Sequence, residues 1–427
     1  MPDTFCPIPW IFQAPKSNGD LRVCCQANNT KTAGIIRKKD GTAYNAGRDN
    51  LEDSRNADLL KIMRKNMLNG VWSDECTRCK AEEHNGEYSR RKYELDNWNF
   101  SEHDANAHTL PDGTVSEVPV QYYDFRFGNK CNLACRMCGP TDSDYWYDDW
   151  QKIRGDEFQD NGGETIVIGR DNPYNWHESE SFWKQVEDNI SNIRQIYFAG
   201  GEPMLIQRHY SFLEKCVNDN HAQNITLEYN TNLSTLPPRV LKLWESFKKV
   251  RIGASIDGYG DILEYQRYPA KWDKIYKNIL LLDSLSANVE SWFAYTVTAY
   301  NVEHIVDFIE WTINQNFTNI NKTKPIITHH MAYGPHHINV KVLPHEYKQL
   351  VTAKILDFLQ KMKYYKYNKE LTEKLTSVID FMNKESYEVE YGTYFIEYTS
   401  QLDKIRNQKI SDVVPNLVKY IENKGDD

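Results

Sequence analysis

The chain lacks long hydrophobic runs and has no excess of positive charge. Its 427 residues include 60 Asp and Glu against 51 Lys and Arg, which gives a formal net charge of -9. This balance argues against a nucleic-acid partner, because such binding depends on neutralising phosphates. No apolar stretch approaches the length that crosses a bilayer, and the N-terminal MPDTFCPIPW has no basic segment followed by a long apolar one. We therefore expect a cytoplasmic protein that binds neither nucleic acid nor membranes.

Familiar hydrolase and nucleotide-binding patterns are also missing: the sequence has no Ser-His-Asp set, no Walker loop and no HExxH helix. It does contain nine cysteines, eight of them before residue 139. Without an export signal, these cysteines are expected to be metal ligands rather than disulfides. Cys216 stands apart in a helix-like stretch, where we expect it to be a small buried hydrophobe.

Three of these cysteines, Cys131, Cys135 and Cys138, have CxxxCxxC spacing and directly follow a strand-like run. Iron-sulfur clusters are normally held by four cysteines, so a compact set of three predicts a [4Fe-4S] cluster with one iron open to a substrate or cofactor. A zinc site or three unrelated thiols is the alternative. Structural zinc favours four ligands, usually from two CxxC-type pairs.

The central part of the chain alternates between strand-like and helix-like segments, which predicts an α/β fold with a parallel sheet. The strand-like runs lie near 121–128, 193–199, 225–230, 250–256, 291–298 and 325–331. The helix-like segments between them include 204–219, 238–248, 271–286 and 302–315. In a barrel of such units, functional groups gather at the carboxyl ends of the strands. The cysteine loop, the GGEP motif, Asn230 and the stretch 255–258 all follow strands.

These patterns divide the chain into four parts. Residues 1–95 are cysteine-rich, and residues 96–118 read as a polar linker that is dense in Asn, Asp, His, Gly and Pro. Residues 119–335 carry the alternating strands and helices, and residues 336–427 read as helices. We expect the third part to hold the main site, since the motifs lie there.

The run CNLACRMC, followed by IRQIYFAGGEP, resembles the radical S-adenosylmethionine (radical SAM) superfamily. The resemblance implies a partial (β/α)6 TIM-like barrel for residues 119–335. It also implies that the open iron binds the amino and carboxylate groups of S-adenosylmethionine. Reductive cleavage then gives a 5'-deoxyadenosyl radical, which abstracts hydrogen from a substrate. A flavodoxin- or ferredoxin-type electron donor is implied as a partner.

The GGEP motif is the first candidate for cofactor binding. Gly200 and Gly201 remove side chains where a ligand must approach the backbone closely. Glu202 supplies an acceptor for a cationic amine. By resemblance, Glu202 and the adjacent backbone receive the methionine ammonium group.

Five further residues are candidates for the cofactor pocket. Asn230 suits ribose hydroxyls, because an amide both donates and accepts, although it could equally be a turn residue. Ser255 and Asp257 belong to the SIDG stretch, and Asp257 could contact ribose or substrate or merely cap a turn. By resemblance, Arg267 binds the cofactor carboxylate, a task that suits a guanidinium fork. Met137 occupies a position that is often aromatic in the family, and its thioether could pack against adenine.

A second metal site is predicted near the N-terminus. Cys6, Cys24 and the pair Cys76 and Cys79 offer four thiolates, which would close either a zinc site or a fully ligated [4Fe-4S] cluster. Cys25 could replace Cys24 as the ligand. The spacing from Cys6 to Cys24 resembles the opening of SPASM and twitch domains, which hold auxiliary clusters in radical SAM enzymes. The resemblance implies a second, auxiliary [4Fe-4S] cluster, here placed before the barrel instead of after it.

Three functional hypotheses follow. The first is a radical SAM enzyme that modifies a peptide or protein side chain, because SIDG and the twitch-like cysteines resemble those of peptide maturases. The second keeps this chemistry with a small-molecule substrate, as in twitch-bearing dehydrogenases. The third is a non-catalytic iron-sulfur or zinc protein, which would not cleave S-adenosylmethionine.

Overall fold

A computed structural model describes residues 4–27, 33–160, 162–322 and 327–422 of the chain. Within these ranges the strands, numbered along the chain, are β1 Phe12–Pro15, β2 Leu21–Arg22, β3 Tyr122–Phe127, β4 Glu157–Gln159, β5 Thr165–Val167, β6 Gln195–Gly200, β7 Thr226–Thr231, β8 Lys249–Ser255, β9 Val289–Val297 and β10 Thr328–Met331.

The helices include short single-turn segments near the N-terminus and longer helices toward the C-terminus. They are α1 Ile8–Ile11, α2 Leu51–Arg55, α3 Asp58–Leu68, α4 Thr77–His84, α5 Arg90–Asn97, α6 Glu102–Ala107, α7 Tyr147–Arg154, α8 Glu180–Asp188, α9 Gln207–Asn218, α10 Pro238–Trp244, α11 Asp261–Gln266, α12 Trp272–Asp283, α13 Ile305–Asn314, α14 His345–Lys361, α15 Asn368–Asn383, α16 Glu388–Arg406, α17 Ile410–Val413 and α18 Pro415–Glu422.

The chain divides into two compact units, each built from several segments. The first contains residues 1–130, 159–229 and 242–249. The second contains residues 131–158, 230–241 and 250–427. The three cysteines 131, 135 and 138 therefore belong to the second unit, and the N-terminal cysteines belong to the first.

In the first unit, the strands run in the order β2, β1, β3, β6, β7. β1 is antiparallel to β2 but parallel to β3, and β3 is parallel to β6 with Asp124 opposite Tyr197. β6 is in turn parallel to β7. Because these neighbours are parallel, the carboxyl ends of β3 and β6 lie at the same edge of the sheet, and this edge carries the Gly200–Gly201 turn.

Alternation along β3 explains how the first unit is packed. Phe125 and Phe127 pack on Phe198, and Phe125 also meets the ring of Trp183 edge-on. Asp124 and Arg126, which alternate with the two phenylalanines, instead form an ion pair with each other, and Asp124 also pairs with Arg22. Successive side chains of a strand point to opposite faces, so one face of β3 is aromatic and the other is charged.

In the second unit, β8, β9 and β10 are parallel neighbours, with Ser255 opposite Ala294 and Thr328 also opposite Ala294. Helices α14 to α16 follow the strands. α16 has Glu388 and Glu390 in its first turn and Arg406 in its last, an arrangement that complements the helix dipole. It ends at Asn407, whose φ of 50° is the left-handed conformation common at helix ends.

The predicted α/β fold is confirmed, since mostly parallel strands alternate with helices and further helices follow at the C-terminus. Each of the six predicted strands corresponds to an observed one, β3 and β6 to β10. The last predicted strand, 325–331, corresponds to β10, and its first two positions, 325 and 326, lie outside the described residues. β1, β2, β4 and β5 were missed, and the predicted linker 96–118 contains helix α6, whose N-terminus Ser101 and Asp104 cap with a capping box.

The boundaries of the four predicted parts of the chain stay predictions. None of the helices in the described ranges combines the length and the apolar character needed to cross a membrane.

Candidate functional site: the cluster loop and the N-terminal cysteines

Residues 131–138, here called the cluster loop, carry the three spaced cysteines. Cys135 is buried, with 4% of its surface exposed, whereas Cys131 and Cys138 are half-buried. The backbone N–H of Ala134 donates to the carbonyl oxygen of Tyr268 at 2.6 Å, and the indole of Trp146 donates to the carbonyl oxygen of Cys135 at 2.9 Å. These bonds fix the loop from both sides.

Two side chains donate hydrogen bonds to the thiols of the loop. Asn232 Nδ2 lies 3.8 Å from Cys131 Sγ, and Arg267 Nη1 lies 3.7 Å from Cys135 Sγ. A hydrogen bond from Cys138, with Arg267 adding its positive charge, lowers the pKa of Cys135 despite its burial. N–H donors directed at sulfur stabilise the thiolate, which is the form that binds metal. Three thiols on one loop, two of them with such donors, fit a cluster held through three cysteines.

Arg267 is oriented by a buried ion pair. Its Nη2 lies 2.6 Å from Asp257 Oδ2, and the two side chains are 8% and 0% exposed. The other carboxylate oxygen of Asp257 accepts from the backbone N–H of Thr296 at 2.6 Å. Asp257 therefore holds the guanidinium of Arg267 against Cys135. The two terminal nitrogens of Arg267 use one N–H each in these contacts, and a guanidinium has five in all.

Arg136 anchors the middle of the cluster loop and is fully buried. Its Nε donates to the carbonyl oxygen of Tyr265 at 3.0 Å, and its Nη2 donates to Asp403 and, at 3.1 Å, to Gln408 Oε1. The guanidinium lies 3.6 Å above the ring of Tyr265, a cation-π contact. The C-terminal helix α16 thus holds the loop through a buried cation.

The other predicted residues of the second unit are less tightly placed. Asn230 is exposed, and a Cβ added at Gly253 would come within 2.6 Å of its Oδ1, so a larger residue at position 253 would displace this side chain. Ser255 is the half-buried last residue of β8, and Met137 is half-buried on the cluster loop. Their assigned contacts with S-adenosylmethionine stay predictions.

The glycines of the GGEP motif, in the first unit, allow two strand ends to approach closely. Gly200 has φ +109°, and a Cβ on it would lie 2.5 Å from the backbone nitrogen of Phe127. A Cβ on Gly201 would lie 2.2 Å from the carbonyl oxygen of Lys130. That same oxygen accepts from the backbone N–H of Glu202 at 2.8 Å. Neither position tolerates a side chain without moving backbone.

Glu202 itself is buried, with 1% of its surface exposed. Its Oε1 accepts from the backbone N–H of Met204 at 3.1 Å and so caps the short turn that follows. This contact holds the carboxylate in a fixed position at the end of β6. Its predicted role as acceptor of an ammonium group stays a prediction.

The four predicted N-terminal ligands, Cys6, Cys24, Cys76 and Cys79, line a single cavity in the first unit. Burial raises the pKa of Cys6, of Cys79 and, to about 12, of Cys76. A metal would therefore have to displace protons from these thiols on binding. The cavity is small, about 30 Å³.

Cys24 and Cys25 face different surroundings. Cys24 lines the cavity with the other three thiols, whereas Cys25 is absent from its lining. A hydrogen bond from Cys24 lowers the pKa of Cys25 to about 6, helped by the charges of Arg90 and Arg22. Of the two adjacent cysteines, the geometry favours Cys24 as the ligand.

No group of three or more His, Cys, Asp or Glu side chains in the described part of the chain is arranged to hold a single metal ion. A four-iron cluster is larger than an ion, so its ligands are spread more widely. The chemistry of the cluster loop, three thiols with two N–H donors, fits such a group. For the N-terminal cysteines the choice between zinc and a cluster stays open.

Asn232 and Arg136 take part in this site but were missed from the sequence. Asn232 follows Asn230 by two residues. Side chains at this spacing in a strand point to the same face, so Asn232 could have been proposed together with Asn230. Arg136 lies inside the CNLACRMC motif, yet its partner Asp403 is 267 positions away. No local pattern indicates contacts of that range.

Comparison with solved structures gives distant likenesses. The chain resembles native anSMEcpe with bound AdoMet and Cp18Cys peptide at 16% identity and a TM-score of 0.37, covering 57% of this chain and 60% of that one. It resembles Streptococcus suis SuiB bound to S-adenosylmethionine at 11% identity and a TM-score of 0.34, covering 77% and 66%. SuiB bound to the precursor peptide SuiA gives 12% identity, a TM-score of 0.33 and coverage of 77% and 67%.

The chain thus spans about 60% of the length of the anSMEcpe structure that it matches. No curated protein matches it in sequence. Residues 125–312 match the model of the Radical SAM superfamily, so this part of the chain carries a domain of that superfamily.

Proposed function

We propose that the protein is a radical SAM enzyme whose [4Fe-4S] cluster is held by Cys131, Cys135 and Cys138. The observation that carries the proposal is the pair of N–H donors directed at two thiols of the cluster loop, from Asn232 and Arg267. A loop with three thiols, each needing to be a thiolate, supplies the ligands for three irons and leaves the fourth open.

When bound, such a cluster supplies the electron that cleaves S-adenosylmethionine into methionine and a 5'-deoxyadenosyl radical, which abstracts hydrogen from the substrate. The chain orients the cofactor. In this proposal Glu202 accepts hydrogen bonds from the ammonium group, and Arg267, held by Asp257, pairs with the carboxylate. Asn230, Ser255 and Met137 bind the adenosine part, and a flavodoxin- or ferredoxin-type protein donates the electron.

The substrate we propose is a peptide or protein side chain. The SIDG stretch with the later Arg267 supports this choice, because it resembles the same stretch in peptide maturases. Four N-terminal cysteines line one cavity, which also supports a peptide substrate, because the peptide-modifying enzymes that the sequence resembles carry auxiliary metal sites. A small-molecule substrate is the second candidate. Untargeted analysis of products from cell extract distinguishes a modified peptide from a modified metabolite.

We also propose an auxiliary metal site at Cys6, Cys24, Cys76 and Cys79. The resemblance to twitch domains favours a [4Fe-4S] cluster there, and zinc is the alternative. Metal analysis of the purified protein decides between them. Two clusters predict about eight irons per chain and no zinc.

The reaction is tested by reconstituting the protein without oxygen and adding dithionite and S-adenosylmethionine. The wild type should release 5'-deoxyadenosine, and Cys135→Ala should not. Cys216→Ala is the matched control, because Cys216 is also fully buried but lies on α9, away from the cluster loop in sequence and in the other unit. A wild type that releases no 5'-deoxyadenosine would reject both enzymatic hypotheses, the one with a peptide substrate and the one with a small molecule.

A further inference from the structure

Arg406, the last residue of α16, is a buried cation whose hydrogen bonds are incomplete. Its side chain is 0% exposed, and its Nε donates to Asp149 Oδ2 at 2.9 Å. Its Nη1 and Nη2 are buried and have no hydrogen-bond partner within the described residues. Leaving the terminal nitrogens of a buried guanidinium unpaired is unfavourable, so a fold that does so is expected to compensate for it through a bound group.

The guanidinium is held between two rings that both contact the cluster loop. It lies 4.6 Å from the ring of Trp146 and 4.8 Å from that of Tyr268. Trp146 donates to the carbonyl oxygen of Cys135, and the carbonyl oxygen of Tyr268 accepts from Ala134. Arg406 is therefore linked to the cluster loop through Trp146 and Tyr268.

One thiol of the loop packs against the same side chains as this cation. Cys138 and Tyr268 both pack against the hydrophobic cluster that contains Trp146, and the guanidinium of Arg406 contacts the rings of Trp146 and Tyr268. Asp149 neutralises Arg406 only at Nε. Arg136, a buried cation within the loop, is paired with Asp403.

We propose that Arg406 is a positioning residue for the cluster of the cluster loop, and that its unpaired guanidinium nitrogens stabilise the added negative charge of the reduced state. This inference rests on the proposed function. One-electron reduction adds one negative charge to a group that already carries three thiolates. A buried cation nearby favours the reduced form, because charges interact strongly where water is excluded. The C-terminal helix thus makes the cluster easier to reduce.

The test compares midpoint potentials in EPR-monitored redox titrations of the reconstituted protein. Arg406→Gln should shift the midpoint to a more negative value, and Arg406→Lys, which keeps the charge, should restore most of the shift. Lys348→Gln is the matched control. Lys348 is a buried cation of α14, only 3% exposed, and its Nζ donates to the carbonyl oxygens of Lys341 and Glu385. This control should lose stability with an unchanged midpoint.

A second readout needs no turnover. Reconstitution should raise the Tm of the wild type more than that of Arg406→Gln, because only in the wild type does the negative charge of the cluster offset the buried charge of Arg406. An unchanged midpoint in Arg406→Gln, or the same gain in Tm in both proteins, would overturn the inference. A wild type that binds no iron at the loop would instead refute the proposed function itself, so the two failures are distinguishable.

Discussion

The ion pair between Asp257 and Arg267 is the feature of the site whose removal has the clearest energetic consequence. Both side chains are buried, and the atoms are 2.6 Å apart. Removing one partner of a buried pair costs about 3–5 kcal/mol, because the remaining charge is left in the interior. In Asp257→Asn the amide oxygen can still accept from Thr296, so we expect a loss near the lower end, about 3 kcal/mol.

The loss is measured as the free energy of unfolding of the cluster-free protein in a urea titration. Lys271→Gln is the control, because Lys271 pairs with Glu264 at 2.9 Å while its own side chain is 74% exposed. Exposed pairs contribute about 0–1 kcal/mol. If Asp257→Asn lost no more stability than Lys271→Gln, the assignment of Asp257 as the residue that holds Arg267 would be refuted.

Three further predictions concern other parts of the molecule. Cys24→Ala should remove the metal of the N-terminal site and Cys25→Ala should retain it, as measured by metal content per chain; equal losses would contradict the choice of Cys24. Gly201→Ala, which places a Cβ 2.2 Å from the oxygen of Lys130, should cost about 1–3 kcal/mol and weaken S-adenosylmethionine binding in calorimetry, whereas Gly392→Ala, in α16 with no neighbour nearer than 3.6 Å, should not. Burial and the nearby Arg154 lower the pKa of His337 from 6.5 to about 4. Because the folded pKa is depressed, the neutral imidazole stabilises the fold above pH 6.5, and at most about 3 kcal/mol is lost as the pH falls toward 4. Unfolding titrations between pH 4 and 7 should therefore show a weaker pH dependence for His337→Phe than for the wild type.

The alternating strands and helices could be predicted because each leaves a local pattern in the sequence. β6 and β8 are short apolar runs bounded by turn residues, and α9 and α12 repeat apolar residues at helical spacing. β1 left no such pattern. All four of its residues are buried, so they show no alternation, and its parallel partner β3 lies more than one hundred residues further on.

Part of the candidate site could likewise be predicted from the sequence, and part could not. The spacing of Cys131, Cys135 and Cys138 could be read directly, because ligands of one cluster on one loop are close in sequence. The side chains that pack around the loop could not be predicted. Arg406, for example, lies more than 250 residues further along the chain than Trp146, and its guanidinium contacts the rings of Trp146 and Tyr268. The C-terminal helices were predicted as helices, but their contacts with the loop depend on tertiary packing alone.

The most direct test of the central claim is electron-nuclear double resonance on the reduced, reconstituted protein with S-adenosylmethionine labelled with 15N at the amine and 17O at the carboxylate. A cluster held by three thiolates predicts hyperfine couplings from both labels, because the open iron binds these groups. Couplings from neither label, in protein that carries a reduced cluster at Cys131, Cys135 and Cys138, would contradict an open iron at this loop.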